Sequence, residues 1–170
     1  MMLVMIFMLL PQAQVSAERI NEVLDTQPHI REGRETSGRE TGTVEFRDVS
    51  FRYPNAAGNE LEHISFRVGR GQTLAVIGAT GSGKSTLVSL IPRFYDATEG
   101  SVLVDGVDVK EYTFDTLYNK LGYVTQKAVL FSGTVRENVF FGESAAQDTD
   151  ASLSAALQLS QADEFVSRYP

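Results

Sequence analysis

The sequence contains no cysteine, and only two of its 170 residues are histidine. Without cysteine, a disulfide framework and a thiolate metal site are both excluded. Positive charge is also scarce, because 15 Lys and Arg stand against 22 Asp and Glu and give a net charge of −7. We therefore expect no binding to nucleic acid, since non-specific binding requires a basic surface.

Charge is absent from the first seventeen residues, and Met1–Leu10 is wholly apolar. Ten helical residues span only about 15 Å, half of a bilayer core. The segment could be a signal peptide, a buried core helix, or the cytoplasmic end of a transmembrane helix. No Lys or Arg precedes the apolar run, which argues against a signal peptide. We favour the third interpretation and assign it to residues 1–25.

The segment after the apolar run changes from helical to linker-like composition. Ala13, Ala17, Ile20 and Leu24 recur at helical spacing, which predicts a helix to about Asp25. Gln27-Pro28 should end it. The residues that follow carry mixed charge, three glycines and few apolar groups, so we expect a linker over residues 26–42.

Alternating apolar residues predict antiparallel strands in the next part of the chain. One should run through Val44–Tyr53 with a bulge near Asp48, and a second through Ile64–Val68. Asp105-Gly106 lies between two short apolar runs and predicts the turn of a β-hairpin over residues 102–109.

Two continuous apolar runs are typical of strands buried on both faces, Thr73–Ile77 and Leu121–Thr125. Short helices are expected at residues 114–120, 133–140 and 150–159. Ser160 and Asp163 are spaced as in a capping box, which predicts one more helix after them.

The most informative motif follows the run at 73–77. The residues Gly78, Ala79, Thr80, Gly81, Ser82, Gly83, Lys84, Ser85 and Thr86 fit the phosphate-binding P-loop pattern. Apolar residues at helical spacing come next, so the loop lies between a predicted strand and a predicted helix. Its glycines allow backbone N–H groups to turn toward a polyphosphate. Lys84 would reach the β- and γ-phosphates, and the Ser85 hydroxyl would ligate Mg²⁺.

Two further residues are candidates for the same site. The ring of Tyr53 could stack on adenine, a role that requires the π-face and little from the hydroxyl. The alternative is an ordinary aromatic residue of the sheet. Gln126 follows the second apolar run, and its side-chain amide could reach Mg²⁺ or water beside the γ-phosphate. The alternative is a glutamine on a surface loop.

Two other segments resemble nucleotide motifs superficially. Val102–Asp105 resembles a Walker B strand with its metal-binding carboxylate, but Gly106 makes a hairpin turn the better interpretation. Asn119–Gly122 resembles the guanine-reading motif of GTPases and lacks its final Asp.

Taken together, these residues resemble the ATP-binding cassette of ABC transporters, with the match running from Val44 to Pro170. Tyr53 matches the adenine-stacking A-loop, residues 78–86 match Walker A, and Gln126 matches the Q-loop. Residues 93–108 and 130–138 resemble the segments on either side of the Q-loop in exporters. Residues 11–24 resemble the end of the last transmembrane helix where permease and cassette are fused.

The resemblance implies an α/β fold, a P-loop NTPase core with an antiparallel β subdomain, preceded by a helix. The N-terminal part of the nucleotide-binding domain would occupy residues 43–170. ATP and Mg²⁺ would be the cofactors, with Ser85 and Gln126 at the metal. The parent would hydrolyse ATP to drive export across the inner or plasma membrane, with its nucleotide-binding part in the cytoplasm. Its partners would be its own permease domain and a second half-transporter.

The departures from the family's pattern are large. The Leu-Ser-Gly-Gly-Gln signature, the Walker B strand ending in Asp-Glu, the D-loop and the switch His are absent, and His29 and His63 both precede the P-loop. We therefore expect an internal part of an exporter half, truncated before the signature, in which no catalytic residue can be assigned. The alternatives are a soluble P-loop kinase or GTPase, and an interaction module that binds nucleotide without turnover.

Overall fold

The computed structural model describes residues 2–142 and 148–168 of the chain, with side chains from Leu10 onward. Residues 143–147, 169 and 170, which belong to the expected nucleotide-binding part, lie outside that description. Contacts divide the chain into two units, one ending at Arg31 and one beginning at Glu32. Each unit is described separately.

The helices and strands follow the order expected for an α/β domain preceded by a helix. Their bounds are α1 Met2–Leu24, β1 Val44–Phe51, β2 Leu61–Val68, α2 Lys84–Ser89, β3 Glu99–Val104, β4 Val107–Asp108, α3 Phe114–Asn119, α4 Val135–Val139, α5 Asp150–Leu159 and α6 Asp163–Val166.

The first unit contains one long helix. α1 includes Pro11 and ends at Leu24, which confirms the helix predicted to about Asp25. Thr26 closes its C-terminal end by donating its hydroxyl to the Glu22 carbonyl at 2.8 Å. Within residues 2–142 and 148–168, no helix combines the length and the apolar content needed to cross a membrane.

The second unit is built on a four-stranded antiparallel sheet in the order β2-β1-β3-β4. β1 is central and pairs with both β2 and β3. Its register shifts between Phe46 and Val49, where Asp48 has a φ of 50°, so the predicted bulge is confirmed. The bulge lets Phe46, Val49 and Phe51 all reach the core, where they are almost fully buried.

The predicted hairpin is also confirmed. β3 and β4 pair across a two-residue turn in which Asp105 has a φ of 50° and Gly106 a φ of 76°. Positive φ at both turn positions suits the right-handed twist of the strands and favours Asp-Gly. The core between the sheet and the helices includes Leu87 and Leu90 near α2 and Tyr112 and Leu117 near α3.

The two predicted buried strands are wrong. Thr73–Ile77 and Leu121–Thr125 have no strand assignment, and Ile77 and Val124 are 94% and 95% exposed. A strand requires a hydrogen-bonded neighbour, and in the described part of the chain the sheet contains only β1 to β4. An apolar run therefore predicts that a segment can be buried, but it does not show whether a neighbouring strand is present to pair with it.

Helices appear where they were expected, with one error in the caps. α3, α4 and α5 confirm the helices predicted at 114–120, 133–140 and 150–159. The capping box predicted at Ser160 is wrong, because α6 has Ala162 as its N-cap without a side-chain bond. The Ser160 hydroxyl instead donates back to the Ala156 carbonyl at 2.9 Å, which places it at the end of α5.

Part of the predicted linker lies against the domain. The amides of Gly33, Arg34 and Glu35 donate to main-chain carbonyls of Tyr112 and Glu111 at 2.7–2.9 Å. Gly33 is required there, since a Cβ would lie 2.0 Å from the Glu111 carbonyl oxygen. Residues 32–42 thus belong to the second unit and are irregular in conformation, and residues 33–35 are hydrogen-bonded to the chain just before α3.

Candidate nucleotide site

The P-loop connects the segment at 73–77 to α2 and depends on left-handed glycines. Gly81 and Gly83 have φ values of 82° and 78°. Gly83 is the N-cap of α2, and its carbonyl accepts the first bond of that helix, from the Leu87 amide at 2.8 Å. The amides of Lys84, Ser85 and Thr86 precede that bond, as at the start of any helix.

Gly83 also lies too close to β2 for any side chain. A Cβ at this position would be 2.8 Å from Leu61 Cδ2 and 3.2 Å from the Glu60 carbonyl oxygen. The start of β2 therefore packs directly on the P-loop backbone. Glycine is required here both by its conformation and by this close approach.

Lys84 folds back over its own loop. Its Nζ donates to the carbonyls of Gly78 at 2.8 Å and Ala79 at 2.6 Å, and lies 3.3 Å from Ser82 Oγ. The ammonium group is therefore fixed at the loop by oxygens that belong to the loop itself. This places a positive charge where the P-loop motif requires one.

A pocket of about 250 Å³ opens at this loop. Its walls bring together two parts of the sequence that the motif does not include, Glu60 just before β2 and Gln126 from the loop after α3. The remaining lining residues are Thr80, Gly81, Ser82, Gly83, Lys84, Ser85 and Thr86. Gly78 and Ala79 contribute through the carbonyls that hold Lys84.

Tyr53 lies beside this pocket and is tied to it by a hydrogen bond. It lies two residues after the end of β1, is partly buried, and its hydroxyl lies 2.9 Å from Thr86 Oγ1. Thr86 is itself buried and lines the pocket. The hydroxyl, to which sequence reasoning gave no role, is the group that connects Tyr53 to the P-loop.

The donor set fits a magnesium–polyphosphate ligand. Mg²⁺ prefers hard oxygen ligands and keeps several waters or phosphate oxygens, so a hydroxyl and an amide oxygen are suitable contributors. Ser85 and Gln126 supply these groups in the same pocket. The described residues contain no cluster of three or more His, Asp and Glu that could hold a metal without a phosphate.

The two segments that resemble nucleotide motifs, residues 102–105 and 119–122, are joined by an ion pair between Asp105 and Lys120, neither of which lines this pocket. Asp105, in the hairpin turn, accepts a bond from Lys120 Nζ at 2.8 Å and another from the Thr43 amide at 3.1 Å. Burial raises the pKa of the Asp105 carboxyl, but the bonds from Lys120 and Thr43 outweigh it and hold the pKa below its ordinary value. Asp105 thus serves the fold, which agrees with interpreting Val102–Asp105 as a hairpin strand.

Comparison with known proteins assigns the family. The profile described as ABC transporter matches residues 61–170, which include the P-loop and Gln126. The chain belongs to the ABC transporter family. Its fold is that of an ABC nucleotide-binding domain, as the mixed sheet-and-helix architecture and the P-loop indicate.

Similar ABC proteins include exporters and flippases. The chain is 44% identical over 154 residues to an ATP-dependent lipid A-core flippase of Aromatoleum aromaticum (strain DSM 19018 / LMG 30748 / EbN1), covering 91% of this chain and 26% of that protein. It is 44% identical over 171 residues to an uncharacterized ABC transporter ATP-binding protein of Mycobacterium bovis (strain ATCC BAA-935 / AF2122/97), covering 98% and 29%.

A solved structure supports the same assignment. The structure of a bacterial Atm1-family ABC exporter with ATP bound matches with a TM-score of 0.84 and 31% identity, over 99% of this chain and 30% of that one. The chain thus spans less than a third of the ABC proteins it matches.

Sequence reasoning missed Glu60 and Tyr95. Glu60 reaches the pocket only because β2 packs on Gly83, a contact between distant parts of the chain that carries no local signal. Tyr95 packs against Tyr53 with ring centroids 5.2 Å apart. It belongs to a segment that the family resemblance covered, but no motif assigned it a role.

Proposed function

We propose that this chain binds Mg-ATP through its P-loop and forms the N-terminal part of the nucleotide-binding domain of an ABC exporter. The supporting observation is the pocket in which Lys84, Ser85 and Gln126 meet beside two glycines of positive φ. The family assignment gives the pocket its ligand class, a nucleoside triphosphate. The rival interpretations, a soluble kinase or GTPase, have no base-reading motif to support them.

In this proposal each residue has one task. Lys84 exchanges its bonds to the Gly78 and Ala79 carbonyls for bonds to phosphate oxygens, which are stronger because they join opposite charges. The amides at the start of α2 offer further donors to the phosphates. Ser85 and Gln126 hold Mg²⁺, which neutralises phosphate charge when bound. The ring of Tyr53 stacks on adenine.

The names and lengths of the relatives support a proposal for the activity of the whole transporter. We infer that the parent protein hydrolyses ATP and uses the energy to export a substrate across the inner or plasma membrane, with this domain in the cytoplasm. The helix at residues 1–25 would be the cytoplasmic end of the last transmembrane helix of its own permease domain, and a second half-transporter would complete the ATP sites. The flippase names among the relatives support this inference.

Calorimetric titration of the chain with Mg-ATP tests the proposal. Lys84→Ala should weaken binding by at least about tenfold, since a charge-assisted hydrogen bond contributes roughly 1.5–3 kcal/mol. Lys84→Arg should also weaken it, because a guanidinium fork is bulkier than an ammonium and directed differently. Lys127→Ala, which removes an exposed lysine next to Gln126, is the matched control and should leave affinity near that of the unaltered chain.

Far-UV circular dichroism must show that each variant is folded before titration. Equal affinity of folded Lys84→Ala and of the unaltered chain would overturn the assignment of the P-loop as the ATP site. Equal losses in Lys84→Ala and Lys127→Ala would mean that only the overall positive charge matters.

A further inference from the structure

Three aromatic rings pack as a closed triangle between β1 and the turn after α2. Tyr53 lies 4.8 Å from Phe51 and 5.2 Å from Tyr95 between ring centroids, with interplanar angles of 82° and 87°. Phe51 and Tyr95 close the triangle at 5.5 Å. Phe51 is only 2% exposed, so the triangle is anchored in the core. Edge-to-face packing on two sides restricts both the tilt and the rotation of the Tyr53 ring.

The turn that contains Tyr95 is held in place by hydrogen bonds from the Arg93 side chain. Arg93 is buried, donates from Nε to Asp96 Oδ1 at 2.7 Å, and donates from a terminal nitrogen to the Lys110 carbonyl at 3.2 Å. These bonds fix the backbone on both sides of Tyr95. Tyr95 therefore provides a fixed packing surface for the Tyr53 ring, although the residue is 39% exposed.

The remaining contact of Tyr53 joins it to the nucleotide pocket. Its hydroxyl lies 2.9 Å from Thr86 Oγ1, and Thr86 lines the pocket with Lys84 and Ser85. Tyr53 is not a lining residue itself, so Thr86 is the connection between the aromatic triangle and the phosphate-binding loop. A change in the position of the ring would alter this connection directly.

We propose that Tyr95 is a positioning residue of the nucleotide site, which holds the ring of Tyr53 so that its hydroxyl stays on Thr86. The inference rests on the proposed function, in which Tyr53 stacks on the base. Tyr95 makes the distance between the stacking ring and the P-loop constant before ATP arrives. Binding then requires less ordering of the site, which favours affinity.

A positioning role and a packing role make different predictions. If Tyr95 only stabilised the fold, its loss would weaken the binding of every ligand of the P-loop or of none. If it positions Tyr53, its loss should weaken ligands that contain a base and spare ligands that consist of phosphate alone. Inorganic tripolyphosphate with Mg²⁺ is the base-free probe.

The experiment titrates the full chain and its variants with Mg-ATP and with Mg-tripolyphosphate. Tyr95→Leu removes the aromatic edge and keeps most of the bulk, so it preserves the fold better than alanine. It should weaken ATP binding about threefold to tenfold, the range expected for losing one aromatic pair. Tripolyphosphate binding should be unchanged. Tyr95→Phe should restore ATP affinity, because it restores the ring.

Two further variants test whether Tyr53 and Tyr95 act through the same ring. Tyr53→Phe breaks the bond to Thr86 and should show the same loss for ATP alone. The double variant Tyr53→Phe/Tyr95→Leu should lose no more than the larger single loss, since both changes act through one ring. Tyr118→Leu, which removes a tyrosine ring stacked on Phe114 in α3, is the matched control and should change neither affinity.

Equal losses for both ligands, unchanged ATP affinity in Tyr95→Leu, or additive losses in the double variant would overturn the inference. The proposed function would survive those results if Lys84→Ala weakened the binding of both ligands by at least about tenfold. If the unaltered chain bound neither ligand, the proposed function and this inference would both be wrong.

Discussion

At the scale of single residues, three glycines allow a graded test of the P-loop backbone. A Cβ added at Gly58 would meet no heavy atom within 4 Å. Gly81 also has open space, but its φ is 82°. Gly83 has a φ of 78°, and a Cβ there would lie 2.8 Å from Leu61 Cδ2. Alanine should be tolerated at Gly58 within about 0.5 kcal/mol. At Gly81 it should cost about 1–2 kcal/mol in backbone strain.

Gly83→Ala should cost more than Gly81→Ala, because steric overlap with Leu61 and the Glu60 carbonyl adds to the same strain. Denaturant titration gives the free energy of unfolding of each variant. A smaller loss at Gly83 than at Gly81 would show that β2 does not pack on the loop as described.

Residue types and spacing predicted the nine P-loop positions because one backbone shape, repeated in every such loop, requires them. Tyr53 and Gln126 required the family resemblance as well, and their roles at the ligand stay predictions. Glu60 and Tyr95 were missed because their places depend on tertiary packing. Even for Tyr53, nothing in the sequence predicts that the hydroxyl lies against Thr86.

At the scale of elements, the hairpin turn is bonded to the preceding segment by Asp105. Its carboxylate accepts from Lys120 and the Thr43 amide, and its carbonyl accepts the amides of Arg39 and Glu40 at 2.9 and 3.0 Å. Asp105→Asn keeps the positive φ and one acceptor but loses the ion pair. We expect a loss of about 1–3 kcal/mol in the free energy of unfolding at pH 7.

The pH dependence of that loss follows from the lowered pKa of Asp105. A carboxyl whose native pKa is depressed stabilises the fold above its ordinary pKa and loses that contribution as pH falls through the native value. The difference between the unaltered chain and Asp105→Asn should therefore shrink when unfolding is measured at about pH 3 rather than pH 7. A difference that stays constant with pH would contradict the ion pair.

The sequence predicted elements best where the signal was local. The Asp-Gly turn, the bulge at Asp48 and the helices α3 to α5 depend on neighbouring residues, and the structure confirms them. The segments 73–77 and 121–125 failed as strands because pairing is a property of two segments, and a single apolar run cannot reveal whether a partner is present. The cap predicted at Ser160 is wrong because its hydroxyl donates to the carbonyls of Ala156 and Leu157 in α5.

At the scale of the whole molecule, removing residues 1–25 should make the chain more soluble. The helix α1 exposes Val15, Ile20, Val23 and Leu24, the last two by more than 70%. Exposed apolar surface of this kind promotes association in water. Partition between a detergent-rich and an aqueous phase measures the effect. Equal partition of the two forms would show that the segment does not control solubility.

We propose that this chain carries the phosphate-binding part of an ATP site without a catalytic base. Hydrolysis requires a positioned water as well as a neutralised phosphate. In the proposed site Lys84, Ser85 and Gln126 would hold the phosphate and the metal, while Glu60 is the single carboxylate among the described residues that line the pocket. No sequence motif identifies Glu60 as a base.

The decisive measurement is phosphate release from Mg-ATP by the purified, folded chain. We expect no release above the background of Lys84→Ala, in a chain that still binds Mg-ATP. Sustained turnover by the unaltered chain, abolished by Lys84→Ala, would contradict it and place a catalytic base within these 170 residues.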